Sequence, residues 1–197
     1  GTIEHEFDGV TLTSITGYTR AKTQMAFDID RTANRNPLIN SFIAVDADDE
    51  SFSEELRLAG GGEGQFRWIV GGYYSKIRQS GTSELGGAPV GDDLIESKNA
   101  AVFVNAEMPI GRLTIGGGLR YDHEEIEASN VIASISGTAK SDELLPRATV
   151  SYDFDGGTMI YATVSKGFKS GGYVTYSAPI NQFDPETAWN YEAGIKG

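Results

Sequence analysis

Two histidines, a run of acids and several glycine clusters are the residues of this chain whose types could do chemistry. His123 stands in Tyr121-Asp122-His123-Glu124-Glu125, and a histidine among carboxylates can bind a metal ion or act as a base. No second histidine lies near it, since the other is His5, which has less context still. A solvated residue at a strand end is the plainer reading of His123, with a small enzyme built on His123 and Asp122 as the alternative. The clusters Gly60–Gly64 and Gly116–Gly118 are not phosphate loops, because no Gly-Lys-Ser/Thr follows either and the second falls inside a strand pattern. No Gly-x-Ser-x-Gly elbow is present. The acids Asp46, Asp48, Asp49 and Glu50 read as a solvated run. Trp68, Tyr73, Tyr74, Tyr121, Tyr161, Trp189 and Tyr191 could stack on a ligand, but near strand ends on an apolar face they suit an interfacial girdle. These residues give no catalytic constellation, no metal site and no cofactor. They do not identify which positions contact a ligand.

Composition narrows the classes further. The chain has 197 residues, of which 39% are hydrophobic, and a formal net charge of −12. That charge argues against nucleic acid as a partner, since phosphate binding needs clustered Lys and Arg. No stretch approaches the roughly 18 apolar residues a spanning helix requires. Zero cysteines exclude disulfides and thiolate metal ligands. Twenty-five glycines with nine Tyr and nine Phe suit β-structure with many turns.

The elements that would position these side chains are strands of period two. Arg112–Glu124 is the cleanest: Leu113, Ile115, Gly117, Leu119 and Tyr121 fall on one face, Arg112, Thr114, Gly116, Gly118, Arg120 and Asp122 on the other. Phe66–Lys76, Ile95–Glu107, Leu145–Phe154 and Thr187–Lys196 alternate similarly, whereas Glu54 interrupts the apolar face of Ser51–Ala59. For Tyr161–Phe168 the faces stay open, because Lys166 spoils the more apolar choice. Short turns (Asp8-Gly9, Gly60–Gly64, Pro109–Gly111, Asp155–Gly157) alternate with long loops (Lys22–Glu50, which contains Pro37, Gln79–Leu94, Ile126–Glu143, Gly171–Glu186). Segregation of loop length to one end, with strands of about ten residues, is the pattern of a transmembrane β-barrel. A soluble β-sandwich is the competing architecture.

The segment YATVSKGFKSGG (Tyr161–Gly172), followed by a loop and FDPETAWNYEAGIKG (Phe183–Gly197), resembles the strand–loop–strand stretch of TonB-dependent outer-membrane receptors. Thr11–Arg20, Ser51–Gly60, Phe66–Ser75, Leu113–Glu124 and Leu144–Phe154 match that family in the same order. The resemblance implies an all-β, antiparallel barrel segment of about eight or nine strands from a wall of about 22, with long extracellular loops and short periplasmic turns. It implies partners as well: outer-membrane lipid, an extracellular ligand such as a ferric siderophore, and a TonB complex acting through a plug domain that this chain lacks. The start at Gly1 and the end at Gly197, directly after a strand, lead to the expectation of a barrel fragment over residues 1–197, without signal peptide, plug or final strands. A passive porin-like barrel is the alternative function.

Overall fold

The computed structural model describes residues 1–28, 42–62, 64–174 and 181–197, and every regular element among them is a strand. They are β1 (Thr2–Phe7), β2 (Val10–Asp28), β3 (Phe42–Gly60), β4 (Arg67–Leu85), β5 (Ala88–Ile110), β6 (Leu113–Asn130), β7 (Ile135–Asp153), β8 (Met159–Lys169), β9 (Gly172–Val174), β10 (Asn181–Phe183) and β11 (Glu186–Lys196). Nine of these form one antiparallel sheet in the order β1-β2-β3-β4-β5-β6-β7-β8-β11, while β9 and β10 pair separately. The sheet is a simple meander, each strand returning beside the one before it.

Turn chemistry sets the register. Asp8 and Gly9 both take positive φ (48° and 77°), the mirror-image turn that suits the right-handed twist of a hairpin, so Phe7 meets Val10 directly. Gly86 and Gly87 do the same at the opposite rim (58° and 85°), joining β4 to β5. Short turns after β1, β3, β5 and β7 share one rim, as expected, and the long connectors share the other. Much of those connectors, however, is strand. Lys22–Asp28 pairs with Phe42–Asp48, Gln79–Leu85 with Ala88–Ile95, and Ile126–Asn130 with Ile135–Ala139. Backbone groups above the wall find partners by continuing the ladder, with one irregularity between Ser83 and Glu84. The part of the first connector that contains Pro37 lies outside the described residues.

The burial pattern runs opposite to that of a soluble sheet. Val102, Leu56 and Ile115 share the apolar face across neighbouring strands and are 61%, 52% and 47% exposed. On the other face Thr13 and Asp122 are each only 5% exposed. Among the described residues the only buried apolar side chains are Ala101, Ala128 and Ala139, and no large side chain is fully buried. Among the described residues no second sheet covers the greasy face, as a sandwich would require.

The structure also settles the faces of β8. Ile160, Ala162 and Val164 pair with Tyr152, Val150 and Ala148, so they lie on the apolar side, and Tyr161 lies on the polar one. The β7–β8 ladder ends at Arg147–Ser165, next to Pro146, a residue with no N–H to donate. Lys166 still pairs with Trp189 on the apolar side of β11, but beyond the end of the β7–β8 ladder its side chain reaches across to Glu143 of the polar face, with Nζ at 2.7 Å. Its backbone thus follows the apolar alternation while its charge ends on the polar face, which is why alternation alone could not place it.

Candidate functional site

The polar face carries a network built from alternate residues of β3 to β8. Arg120 donates to both oxygens of Asp122 (2.6 and 2.7 Å), and its guanidinium sits 5.5 Å from the Tyr73 ring centroid. Asn99 on β5 adds a third hydrogen bond to Asp122 at 3.2 Å. This pairing is what allows a carboxylate to be buried in the wall. Arg57 meets Glu55 at 3.3 Å, and Lys166 meets Glu143. Nearer the outer rim the carboxylates take neutral donors: Asn130 to Asp93 at 2.8 Å, and Ser97 and Ser170 to Glu124. Phe103, Leu145, Arg120, Arg147 and Lys166 border a depression of about 470 Å³ in the same face. Charged donors and acceptors around an apolar floor can hold a polar solute against the wall.

Two glycines on this face seat cross-strand aromatics. A Cβ on Gly71 would lie 2.5 Å from Phe103 Cζ, and one on Gly194 would lie 2.7 Å from the Tyr161 ring. Tyr161 in turn donates to Glu192 at 2.7 Å. Small residues here therefore do more than widen a lumen.

Sequence neighbours do not become site neighbours. Asp122 points to the polar face and His123 to the apolar one, so an acid–base pair of the two cannot form. His123 Nδ1 instead lies 2.8 Å from Asp142, which also accepts from Tyr121 Oη at 2.6 Å. His5 stacks on Phe7 at 6.0 Å on the first strand. Among the described residues no three His, Asp or Glu side chains converge to hold a metal ion. The seven aromatics singled out above divide: Tyr73 and Tyr161 join the polar network, while Trp68, Tyr74, Tyr121, Trp189 and Tyr191 stand on the apolar face. Trp68 lies near the short-turn rim and Tyr74, Tyr121 and Trp189 lie toward the other, two aromatic levels bounding the apolar band. Sequence reading missed the Arg120–Asp122–Tyr73 cluster. Its two charged members were legible as same-face residues two apart on one strand.

Past the apolar band the strand extensions carry ion pairs on the same outward side. Arg20 meets Asp48 at 2.7 Å, and Lys76 and Lys98 each meet Glu96 at 2.9 Å. Hydrogen bonds from Lys98 and Lys76 hold the Glu96 carboxyl below the usual carboxylate range, outweighing its partial burial.

Comparison with known proteins agrees with this geometry. The family model for the TonB dependent receptor-like β-barrel matches residues 2–197. The ferric yersiniabactin uptake receptor FyuA from Yersinia pestis superposes with a TM-score of 0.81 at 18% identity, over 98% of this chain and 32% of its own. The siderophore receptor PiuA from Acinetobacter baumannii gives 0.72 at 19% identity, over 98% and 36%, and the copper transporter OprC gives 0.76 at 14%, over 96% and 34%. The chain spans about a third of the length of these structures. At such identities the superpositions establish the fold, and the match over residues 2–197 establishes descent. This chain belongs to the TonB-dependent receptor-like β-barrel family of the outer membrane.

Proposed function

We propose that this chain is a wall segment of an active outer-membrane receptor that imports a ferric siderophore or another large nutrient. One observation carries the reading: along the inner strands β3 to β7 the greasy side is the more exposed one and the polar side the more sheltered one, as a wall between hydrocarbon and an aqueous lumen requires. The sheet begins with β1 and ends with β11, and unpaired strand edges are not stable in hydrocarbon. Those edges fit a wall that further strands close into a barrel of about 22 around a plug domain. A TonB complex in the inner membrane acts on that plug. The contribution of this segment is containment and capture, through its polar inner face and projecting outer hairpins. Of the similar structures one is named for ferric yersiniabactin uptake, one as a siderophore receptor and one as a copper transporter, which favours a metal-bearing cargo.

The test is growth of an uptake-deficient strain on defined ferric siderophores as the only iron source. Full-length protein should restore growth on at least one of them, and only in cells that have TonB. Rescue without TonB, or ion conductance of the purified protein in a planar bilayer with no energy source, would mark a passive pore and overturn the proposal.

A further inference from the structure

A strap lies against the inner face of the wall at its outer rim. β8 runs through Ser170 and Gly171 into β9, which pairs with β10 as Gly172–Phe183, Tyr173–Gln182 and Val174–Asn181. Its seat is the β6–β7 hairpin. The Ser170 hydroxyl donates to Glu124 of β6, and the Tyr173 ring lies over Gly137 of β7, on the same side of the sheet as Asp122. A Cβ on Gly137 would stand 2.6 Å from Tyr173 Cε1, and one on Gly172 would stand 2.7 Å from Phe183 Cζ. Neither glycine takes a positive φ, so the backbone does not demand it. A glycine inside a strand gives up packing and often marks a close approach. At position 137 what approaches is a phenol ring of the same chain.

Ala128, paired directly with Gly137, and Ala139, the next residue of β7 on that face, are two of the three buried apolar side chains among the described residues. These three small residues make a shallow pit with the ring over its Gly137 floor. The strap itself is lightly tethered. Residues 170–183 contain no charged side chain, so no ion pair ties it to the wall; the Lys166–Glu143 pair lies back along β8. A segment held by a hydroxyl and a ring opens at low cost compared with the ladders beneath it.

We infer that the strap is a built-in competitor for cargo: the Tyr173 ring occupies the place on the inner wall that an aryl ring of the cargo takes on arrival, and the strap then swings away. The inference rests on the transport reading and narrows its cargo to a ferric chelate that bears a phenyl or hydroxyphenyl ring. Gly137, Ala128 and Ala139 offer neither charge nor a hydrogen-bonding side chain, so the pit favours the face of a ring over a hydroxamate or carboxylate arm. A ring that must evict Tyr173 binds with its affinity lowered by the fraction of protein in which the pit is free.

The test uses full-length protein in a non-ionic detergent and two sets of probes. Ferripyochelin and ferric enterobactin carry aryl rings; ferrioxamine B and ferrichrome carry none. Tyr173→Ala should tighten binding of at least one aryl chelate about tenfold, as for a pit filled about nine-tenths of the time, and leave the ring-free chelates unchanged. Gly137→Val, which fills the pit, should cancel that gain in the double variant. Saturating the wild type with the same aryl chelate should raise amide exchange over residues 170–174, whereas a loop that closes over its cargo would lower it. Compact electrophoretic mobility without boiling verifies that each variant is folded. An equal gain for the ring-free chelates, no aryl chelate bound by folded Tyr173→Ala protein, or exchange that falls or stays level would overturn the inference. TonB-dependent growth on ring-free chelates alone would overturn it too, while leaving the transport reading in place. Growth without TonB would instead remove that reading.

Discussion

Asp122 can be sheltered on the polar face because Arg120 covers it with two hydrogen bonds and is itself held over Tyr73. Removing the cation leaves an uncompensated carboxylate, so Arg120→Ala should destabilise the barrel by about 2 kcal/mol, less than a fully buried pair because Arg120 is partly exposed. The double variant with Asp122→Asn should lose less than the sum of the two singles, measured by urea unfolding in detergent. Gly71 is constrained differently. Its missing Cβ would press on Phe103 and, at 2.8 Å, on the carbonyl oxygen of Leu56, which is backbone and cannot move aside. Gly71→Val should therefore cost roughly 1–3 kcal/mol in the same assay, whereas Phe103→Ala with Gly71→Ala should recover part of it. Period-two alternation was enough to place Asp122 and His123 on opposite faces. That Tyr73 would lie under Arg120 was not legible, because it depends on the register across β4, β5 and β6, which the turns fix.

At the level of elements, the outer β2–β3 ribbon is tied by Arg20 and Asp48. The hydrogen bond and charge of Arg20 hold the Asp48 carboxyl below its ordinary range. A carboxylate depressed in the folded state adds stability above its unfolded value, about 4, and loses it as the pH falls through the folded one. Amide-exchange protection of residues 20–28 and 42–50 should thus hold from neutral pH to about 5 and decline below about 4. Arg20→Gln should flatten that decline. Strand existence and the shared rim of the long connectors were readable from alternation and spacing. Strand length was not, since Gln79–Leu94 looks like a glycine- and serine-rich loop until Gly86-Gly87 is taken as a two-residue hairpin turn. Once that pair is a turn, the residues on either side must zip together. The break at Pro146 is the converse case, a ladder stopped by one residue that cannot donate.

For the whole molecule, the two faces make opposite demands on the same substitution. Leu119, on the exposed apolar face near the middle of β6, should lose about 2–4 kcal/mol as Leu119→Arg. Thr149→Arg, on the polar face one strand away, should change detergent-unfolding stability far less, because its charge meets water. Equal costs at both positions would mean that the apolar side does not meet lipid. The strand extensions reach further than the bilayer requires. Gly86-Gly87 lies ten residues past Lys76 on a ladder with a single irregularity at Ser83/Glu84, roughly 25 Å along the membrane normal for tilted strands. A peptide tag spliced between these two glycines would be carried clear of the sugar coat's base on a rigid arm. Antibody labelling of intact cells should detect it there while the same tag at Asp8-Gly9 stays hidden until the envelope is opened.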